Sequence, residues 1–438
     1  MAKVASIDRT TSNISNLVHE NYVNEVLPWI SHVSPLAGLF GKVGDKGYKL
    51  IGEKLVIAAD NSYRGGFMGT DGYIPEPQTV DPVNLEFTAA RCYVSGAVDN
   101  FLKELAVTPG AFENFSDRLM DQMWDAVDRG TTFQIHGSSS ATLAVVTSRT
   151  STTVLVVEDA YGYDGAKGPT MFIEEGMILA CLDASAAYAT LGAAVVSSIA
   201  HRTSATTATI TFADAIEDTG TIAAGDVLVR ATTGSTSDAH FVTERSRGPN
   251  GLLDIVDPGD SATTYGGLTE SSTPRINPVR RASSDWGHVE IMEFLAEISA
   301  SSSSAVTADS HVITMQEGAK IELARELLTY QQQAQLGMEL HGGWRAVKIG
   351  DFNVLADPYH IHSVAYALCP EDLAVVDLGG KPDLYSGDGS MFQRMADYDG
   401  EQWYAKWYGN RFATRRNRLG ALTGISNPNG ERYSAVPV

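Results

Sequence analysis

An α+β fold carrying an all-β insertion is the architecture this sequence predicts, and three observations predict it. Phe112, Phe115, Leu119, Met123 and Val127 recur at steps of three and four residues, the spacing of one helix face. Between residues 137 and 270, Ser, Thr, Ala, Val and Gly dominate and β-branched runs alternate with turns. Beyond Trp286, helix-like and strand-like segments mix. At 438 residues the chain also exceeds the length at which a single hydrophobic core stops growing.

The elements follow in order. Residues 1–44 scatter apolar side chains among Asn and Ser, with Pro28 and Pro35 interrupting any long helix, so they read as an arm that packs on something else. Residues 45–100 read as a long hairpin. Lys49-Leu50-Ile51 and Lys54-Leu55-Val56-Ile57 lead out, Tyr63 to Pro82 forms a glycine- and proline-rich tip, and Leu85 to Thr88 with Arg91 to Val94 return. A hairpin of that reach has few partners in its own chain, which points to neighbouring chains. Residues 101–136 hold the predicted helix, with Thr108 as N-cap, Pro109 at the first helical position and Gly130 as its stop. At about 1.5 Å per residue it is roughly 30 Å long.

In the insertion, Thr152 to Val157, Ala208 to Phe212 and Asp226 to Arg230 read as short strands of a small barrel or sandwich. Residues 271–380 read as an α+β unit: a helix at Val289 to Ile298, a Ser299 to Ser304 linker, a strand at His311 to Met315, a helix at Glu317 to Leu336, then strands at Trp344 to Ile349, Phe352 to Leu355 and Val364 to Leu368. Residues 381–438 close the chain with a GDGS turn, an alternating aromatic strand from Trp403 to Tyr408, a Gly409-Asn410 break, an arginine-rich strand and the apolar tail Leu419 to Ile425.

Charge and motifs exclude several function classes. Fifty-three acidic residues against 32 basic give a net charge of −21, which disfavours sequence-reading DNA binding. Cys92, Cys181 and Cys369 lack CxxC spacing and are odd in number, so neither a disulfide framework nor a zinc knuckle is indicated. The first residues carry no apolar signal region, and the most apolar stretch, Met177 to Ala200, holds Asp183 at its middle. Export and membrane insertion therefore lack support. HExxH, GxSxG and phosphate-loop motifs are missing from the sequence, and no catalytic constellation or cofactor is expected.

The closing segments, Leu384 to Phe392, Trp403 to Arg411 and Arg415 to Ile425, resemble in order the terminal strands of tailed-bacteriophage major capsid proteins of the Hong Kong 97 type. Asn250 to Asp257 followed by Thr264 to Leu268 resembles the segment that leads phage coat insertions back to the main fold, and Gly350 to Pro358 resembles the family's strand before the late A-domain strands. The resemblance implies an N-arm (1–44), an E-loop (45–100), a spine helix with P domain (101–136), an inserted β-domain (137–270), an A domain (271–380) and P-domain return strands with the tail (381–438). It further implies self-assembly through hexamers and pentamers into an icosahedral shell around phage double-stranded DNA. Portal and scaffolding proteins, a decoration or cement protein, and non-specific contact with packaged DNA are the implied partners, with no membrane. Assembly would occur in the host cytoplasm and the product would be the virion capsid. Two departures stand out: no long scaffolding extension precedes the arm, and no lysine lies between Asn61 and Asn84 to cross-link the hairpin. An encapsulin-like compartment is the alternative within the fold, and a surface β-rich adhesin the alternative outside it.

Candidate sites are therefore contacts between subunits: Arg64 and Phe67 at the hairpin tip, Trp403 and Trp407 on one face of the aromatic strand, and the cluster Arg411, Arg415, Arg416 and Arg418. Arginine is favoured at such interfaces because its planar fork pairs carboxylates. The competing reading of the cluster is a solvated strand edge. His360 and His362, at the i, i+2 spacing of a metal half-site with His341 or Asp357 as a third ligand, read as ordinary strand or turn histidines. Glu174-Glu175 reads as solvated surface and Asp388 as a tight-turn residue lacking the further carboxylates of a calcium loop.

Overall fold

The computed structural model describes residues 35–42, 49–51, 54–60, 82–99, 134–160, 170, 172–201, 207–216, 220–239, 241–259, 264–271, 276–283, 287–334, 347–349, 352–357, 360–361, 363–377, 383–384, 393–394 and 400–425. The predicted helix at 108–130, the hairpin tip with Arg64 and Phe67, His341, His362 and Asp388 lie outside them.

A 3-10 turn at Pro35–Leu39 leads to β1 (Gly41–Lys42). The expected hairpin forms in part: β2 (Lys49–Ile51), β3 (Lys54–Asp60) and β4 (Pro82–Thr88) make one antiparallel sheet, with Lys54 opposite Thr88 and Asp60 opposite Pro82, whereas Arg91 to Val94, expected in its return, pair instead with the late strand Gly400–Ala413. Leu85 and Phe87 point into the protein while Asn84, Glu86 and Thr88 face out, the period-2 alternation of a half-buried strand. β5 (Ala90–Asp99) continues the chain.

Six strands, β6 (Ala144–Ser151), β7 (Val154–Asp159), β8 (Ile178–Asp183), β9 (Ala189–Ala200), β10 (Thr207–Phe212) and β11 (Val227–Arg230), close into a barrel in the order β10-β7-β6-β11-β8-β9. Inward residues of β7 and β10, among them Leu155, Val157, Ile210 and Phe212, alternate with half-exposed ones. β8 and the middle of β9, from Leu191 to Ala194, are instead buried on both faces. Leu179 and Cys181 fill the barrel, while Ala180, Leu182, Ala193, Val227 and Val229 form a second cluster outside it, covered by Ala231 and Phe241. That two-sided burial is why Met177 to Ala200 reads as the most apolar run in the chain. The barrel is no isolated bead: its core runs through Leu252, Ile255 and Val256 into Tyr366, Leu368, Leu373, Ala413 and Leu419 as one buried cluster.

A short helix, α1 (Leu252–Ile255), and the two-stranded β12 (Thr264–Tyr265) and β13 (Leu268–Thr269) lead out of the barrel region. β14 (Val279–Ala282), α2 (His288–Ser302), β15 (Val312–Met315), α3 (Glu317–Ala334), β16 (Val347–Ile349), β17 (Phe352–Ala356) and β18 (Val364–Leu368) follow. The sequence placed a linker at Ser299 to Ser304, but α2 continues through Ser302. The Ser302 hydroxyl donates to the Ile298 carbonyl (2.8 Å) and Ser303, in the left-handed conformation, ends the helix.

The last strands are β19 (Leu373–Asp377), β20 (Asp383–Leu384), β21 (Gln393–Arg394), β22 (Gly400–Ala413) and β23 (Gly420–Thr423). Three expectations are corrected here. β22 runs without a break through Gly409-Asn410, because glycine is needed there for close approach: a Cβ would sit 2.2 Å from the Val376 carbonyl oxygen and 2.9 Å from the Trp407 ring. The predicted arginine-rich strand is a bend followed by a 3-10 turn at Arg416–Arg418. The apolar tail is no tail: β23 lies inside a six-stranded sheet of order β14-β23-β18-β15-β17-β16, parallel to β14 and antiparallel to β18. α2 covers this sheet with Ile291, Phe294, Leu295 and Ile298, and α3 adds Ala319 and Leu323. In the other six-stranded sheet, β22 pairs with β19, β20, β21 and, over Gly400 to Gly409, with β5.

Candidate subunit-contact site

The arginine cluster lies where β22 turns into β23, and there the fold divides its members. Arg416 is 1% exposed. Its Nη1 donates to Glu270 (2.7 Å), its Nε to the Ile255 carbonyl, and its guanidinium lies 4.1 Å from the centre of the Tyr265 ring. Glu270 also accepts two bonds from Arg280, both 3.0 Å, and Arg280 reaches Asp257 at 3.3 Å. Burial pushes the Glu270 carboxyl up, but hydrogen bonds from Arg280 and Arg416 outweigh it and hold the group below the usual glutamate value. Arg418 pairs with the buried Asp372 at 3.0 Å, and its carbonyl oxygen lies 3.0 Å from His311 Nε2. Arg415 Nε donates to the same Asp372 (2.6 Å), yet its side chain is 59% exposed.

The solvated-edge reading of the cluster does not hold for Arg416 and Arg418, which are buried. Their carboxylates come from this chain, leaving Arg416 almost no surface for a neighbour. A guanidinium taken out of water needs a paired carboxylate to be tolerated, and Glu270 and Asp372 supply it. Of the four, Arg415 faces outward. Arg411 is buried and has no such acid beside it among the described residues. Burial alone lowers its pKa to about 10.

Trp407 is buried against this chain, with the Arg411 guanidinium 5.7 Å from its ring centre. Trp403 pairs through its backbone with Gly96. On the opposite face, Tyr93 and Tyr408 meet hydroxyl to hydroxyl at 2.5 Å, and Tyr93 remains exposed.

Several positioning residues went unseen in the sequence. Asn410, read as part of a break, ties three segments together: its side-chain oxygen accepts from the Asn250 amide (2.8 Å) and its amide donates to the Thr88 carbonyl (2.7 Å). Tyr265 stacks edge-on to Phe87 (5.1 Å), its hydroxyl accepts from the Ala413 amide (2.8 Å), and Phe87 lies 5.6 Å from Phe412. The Glu86 amide donates to the Gly266 carbonyl (2.8 Å), so the root of the hairpin is fastened to the β12–β13 turn.

His360 is fully buried. Its Nδ1 donates to the Ile361 carbonyl (2.9 Å) and its Nε2 faces the Thr314 hydroxyl (3.3 Å). The ring is thereby committed to the fold. His136 Nε2 lies 3.3 Å from the buried Asp357 carboxylate, and the two imidazoles meet edge to face at 5.6 Å. Burial, with His136 beside it, depresses the His360 pKa to about 3. No group of three His, Cys, Asp or Glu among the described residues is placed to hold a metal ion. Burial also raises the Cys92 and Cys369 thiols to about 11, which leaves little of either as thiolate at neutral pH. No helix among the described residues is long and apolar enough to cross a membrane.

No protein-family model matches the sequence and no curated protein matches it. Solved structures do. The capsid protein of cyanophage A-1(L) superposes with a TM-score of 0.51 over 95% of this chain and 99% of its own, at 9% identity. The capsid of the native GTA particle gives 0.41 over 96% and 100%, at 9% identity. The SrpI encapsulin of Synechococcus elongatus gives 0.42 over 96% and 98%, at 8% identity. The cyanophage match spans nearly the whole of both chains, and the fold of this chain is that of a phage capsid protein.

Proposed function

We propose that this chain is the major capsid protein of a tailed phage, assembling through hexamers and pentamers into an icosahedral shell around double-stranded DNA. The observation that carries the reading is the end-to-end fold match to the cyanophage capsid protein. The layout gives each part a task. The arm and the hairpin reach over neighbours, the sheet around β18 with α2 and α3 forms the A domain, and β5 with β22 forms the P domain. The barrel at 144–230 is an insertion into that body. Quasi-equivalent packing needs heterologous interfaces that close under slightly different rotations, and an arm and hairpin reaching to neighbours accommodate them. The hairpin tip with Arg64 and Phe67, the exposed Arg415 and the β5–β22 ribbon are the contact surfaces. Portal, scaffolding and decoration proteins are the expected partners, and assembly takes place in the host cytoplasm.

Electron microscopy of the purified protein, expressed alone and with the neighbouring genes of its operon, tests this. Closed shells, or rings of five and six subunits, are expected, with nuclease-protected DNA when the packaging genes are present. A stable monomer under both conditions overturns it. Shells that enclose an enzyme and exclude DNA would favour a compartment of the encapsulin kind.

A further inference from the structure

Arg411 is the exception in its cluster. Arg280, Arg415, Arg416 and Arg418 each have a carboxylate of this chain within 3.3 Å. Arg411 is hidden like Arg416 and Arg418, at 6% exposure, yet among the described residues no carboxylate lies within ion-pair distance and its Nη1 has no hydrogen-bond partner. What it meets is the Trp407 ring. The backbone fixes it in place: β22 holds Arg411 opposite Val375 of β19, and the Asn410 side chain caps the Arg411 amide at 2.7 Å. A guanidinium cannot shed its charge at any pH a cell meets, and an uncompensated buried charge is among the largest penalties a fold carries.

We infer that Arg411 is a socket for an acidic side chain of a second copy of this chain, filled on assembly. This rests on the capsid reading above. Three features favour that occupant. The chain's acids outnumber its bases 53 to 32, so a neighbouring copy presents carboxylates in excess. An arginine is recognised best by a group that accepts two parallel hydrogen bonds, as a carboxylate does. And the fold fills every other arginine of the cluster with Asp or Glu, so the missing component is the same kind of group. The consequence is a coupling. The unassembled subunit carries an unpaired buried charge, and association removes it, which favours the shell over the free subunit without any new apolar surface.

The inference makes a prediction of opposite signs that an ordinary packing role does not share. In Arg411→Met, which keeps most of the side-chain volume and deletes the charge, the free subunit is expected to unfold at equal or higher urea concentration than wild type. The critical concentration for assembly, read by light scattering and sedimentation without nucleic acid, is expected to rise on the order of tenfold or more. Arg411→Lys keeps a charge but not the fork, and should fall between. A structure of wild-type particles should place a carboxylate of an adjacent copy on the Arg411 guanidinium. The inference fails if Arg411→Met assembles at the wild-type concentration, or loses subunit stability and assembly together. It also fails if Arg411→Met affects only the retention of DNA, because the partner is then a phosphate. If wild type itself never assembles, the capsid reading falls rather than this detail of it.

Discussion

Replacing Glu270 with glutamine tests how the end of the chain is locked. Glu270 accepts three bonds from two arginines, at 2.7, 3.0 and 3.0 Å, and is itself buried. Glutamine keeps the shape, removes the charge, and turns one acceptor into a donor that faces another donor. Arg280 retains Asp257, but Arg416 loses its carboxylate while remaining 1% exposed. Breaking a buried ion pair from one side costs about 3–5 kcal/mol, and about 1.4 kcal/mol is a factor of ten. Local opening should therefore become roughly a hundred to a few thousand times more frequent. Amide hydrogen exchange reads this directly at Val256, whose N–H is bonded to the Leu252 carbonyl, and at Val279, bonded to the Leu419 carbonyl. The double replacement Glu270→Leu with Arg416→Met should recover much of the loss, since apolar groups of similar volume need no counter-charge. An acceleration below about tenfold in Glu270→Gln would refute the reasoning, because the pair would then be worth no more than a surface salt bridge.

Two further outcomes follow from the same geometry. His360 has a folded pKa of about 3 against an ordinary 6.5, so between those values the unfolded chain binds a proton that the folded one refuses. Stability from this group is complete above about pH 6.5 and is lost as pH falls toward 3. At about 1.4 kcal/mol per unit that is roughly 5 kcal/mol at the acid limit, and urea midpoints of His360→Gln measured from pH 7 to 4 should fall less steeply than those of wild type; parallel slopes would count against it. Gly409→Ala should lower stability by about 1–3 kcal/mol, the usual range for overpacking, because the added methyl meets the Val376 carbonyl and the Trp407 ring; a urea midpoint equal to wild type would show that β19 and β22 separate freely.

The sequence disclosed most where burial has a period. The hairpin strands, α3 and the strands at Val312–Met315, Phe352–Ala356 and Val364–Leu368 lie where alternation and helix spacing put them. It disclosed least where distant segments meet. Arg416 and Glu270 are 146 positions apart, so the arginines could be seen as a cluster but their acids could not be matched to them. Gly409 was misread because glycine marks both a turn and a close approach, and only the neighbouring strand tells which. Leu419 to Ile425 was misread for a related reason. A short apolar run near a chain end has no visible partner until β14 and β18 are placed on either side of it.

The placement of the charged residues separates groups that hold this chain together from groups that face outward. Glu270, Arg416 and Arg280 join the segment leaving the barrel to the turn between β22 and β23, and Asp372 joins that turn to the start of β19. Because β22 is also the strand that pairs with β5 next to the hairpin, any displacement of β22 bears on this ion-paired turn. The turn resists it, since moving Arg416 would strip a buried cation of its carboxylate. Arg415 and the exposed Tyr93 lie on the same β5–β22 framework but face outward, so they can re-pair from one local environment to another without that penalty. The proposed shell role needs both properties: a body that does not deform where strands cross, and surface groups whose partners can change from position to position.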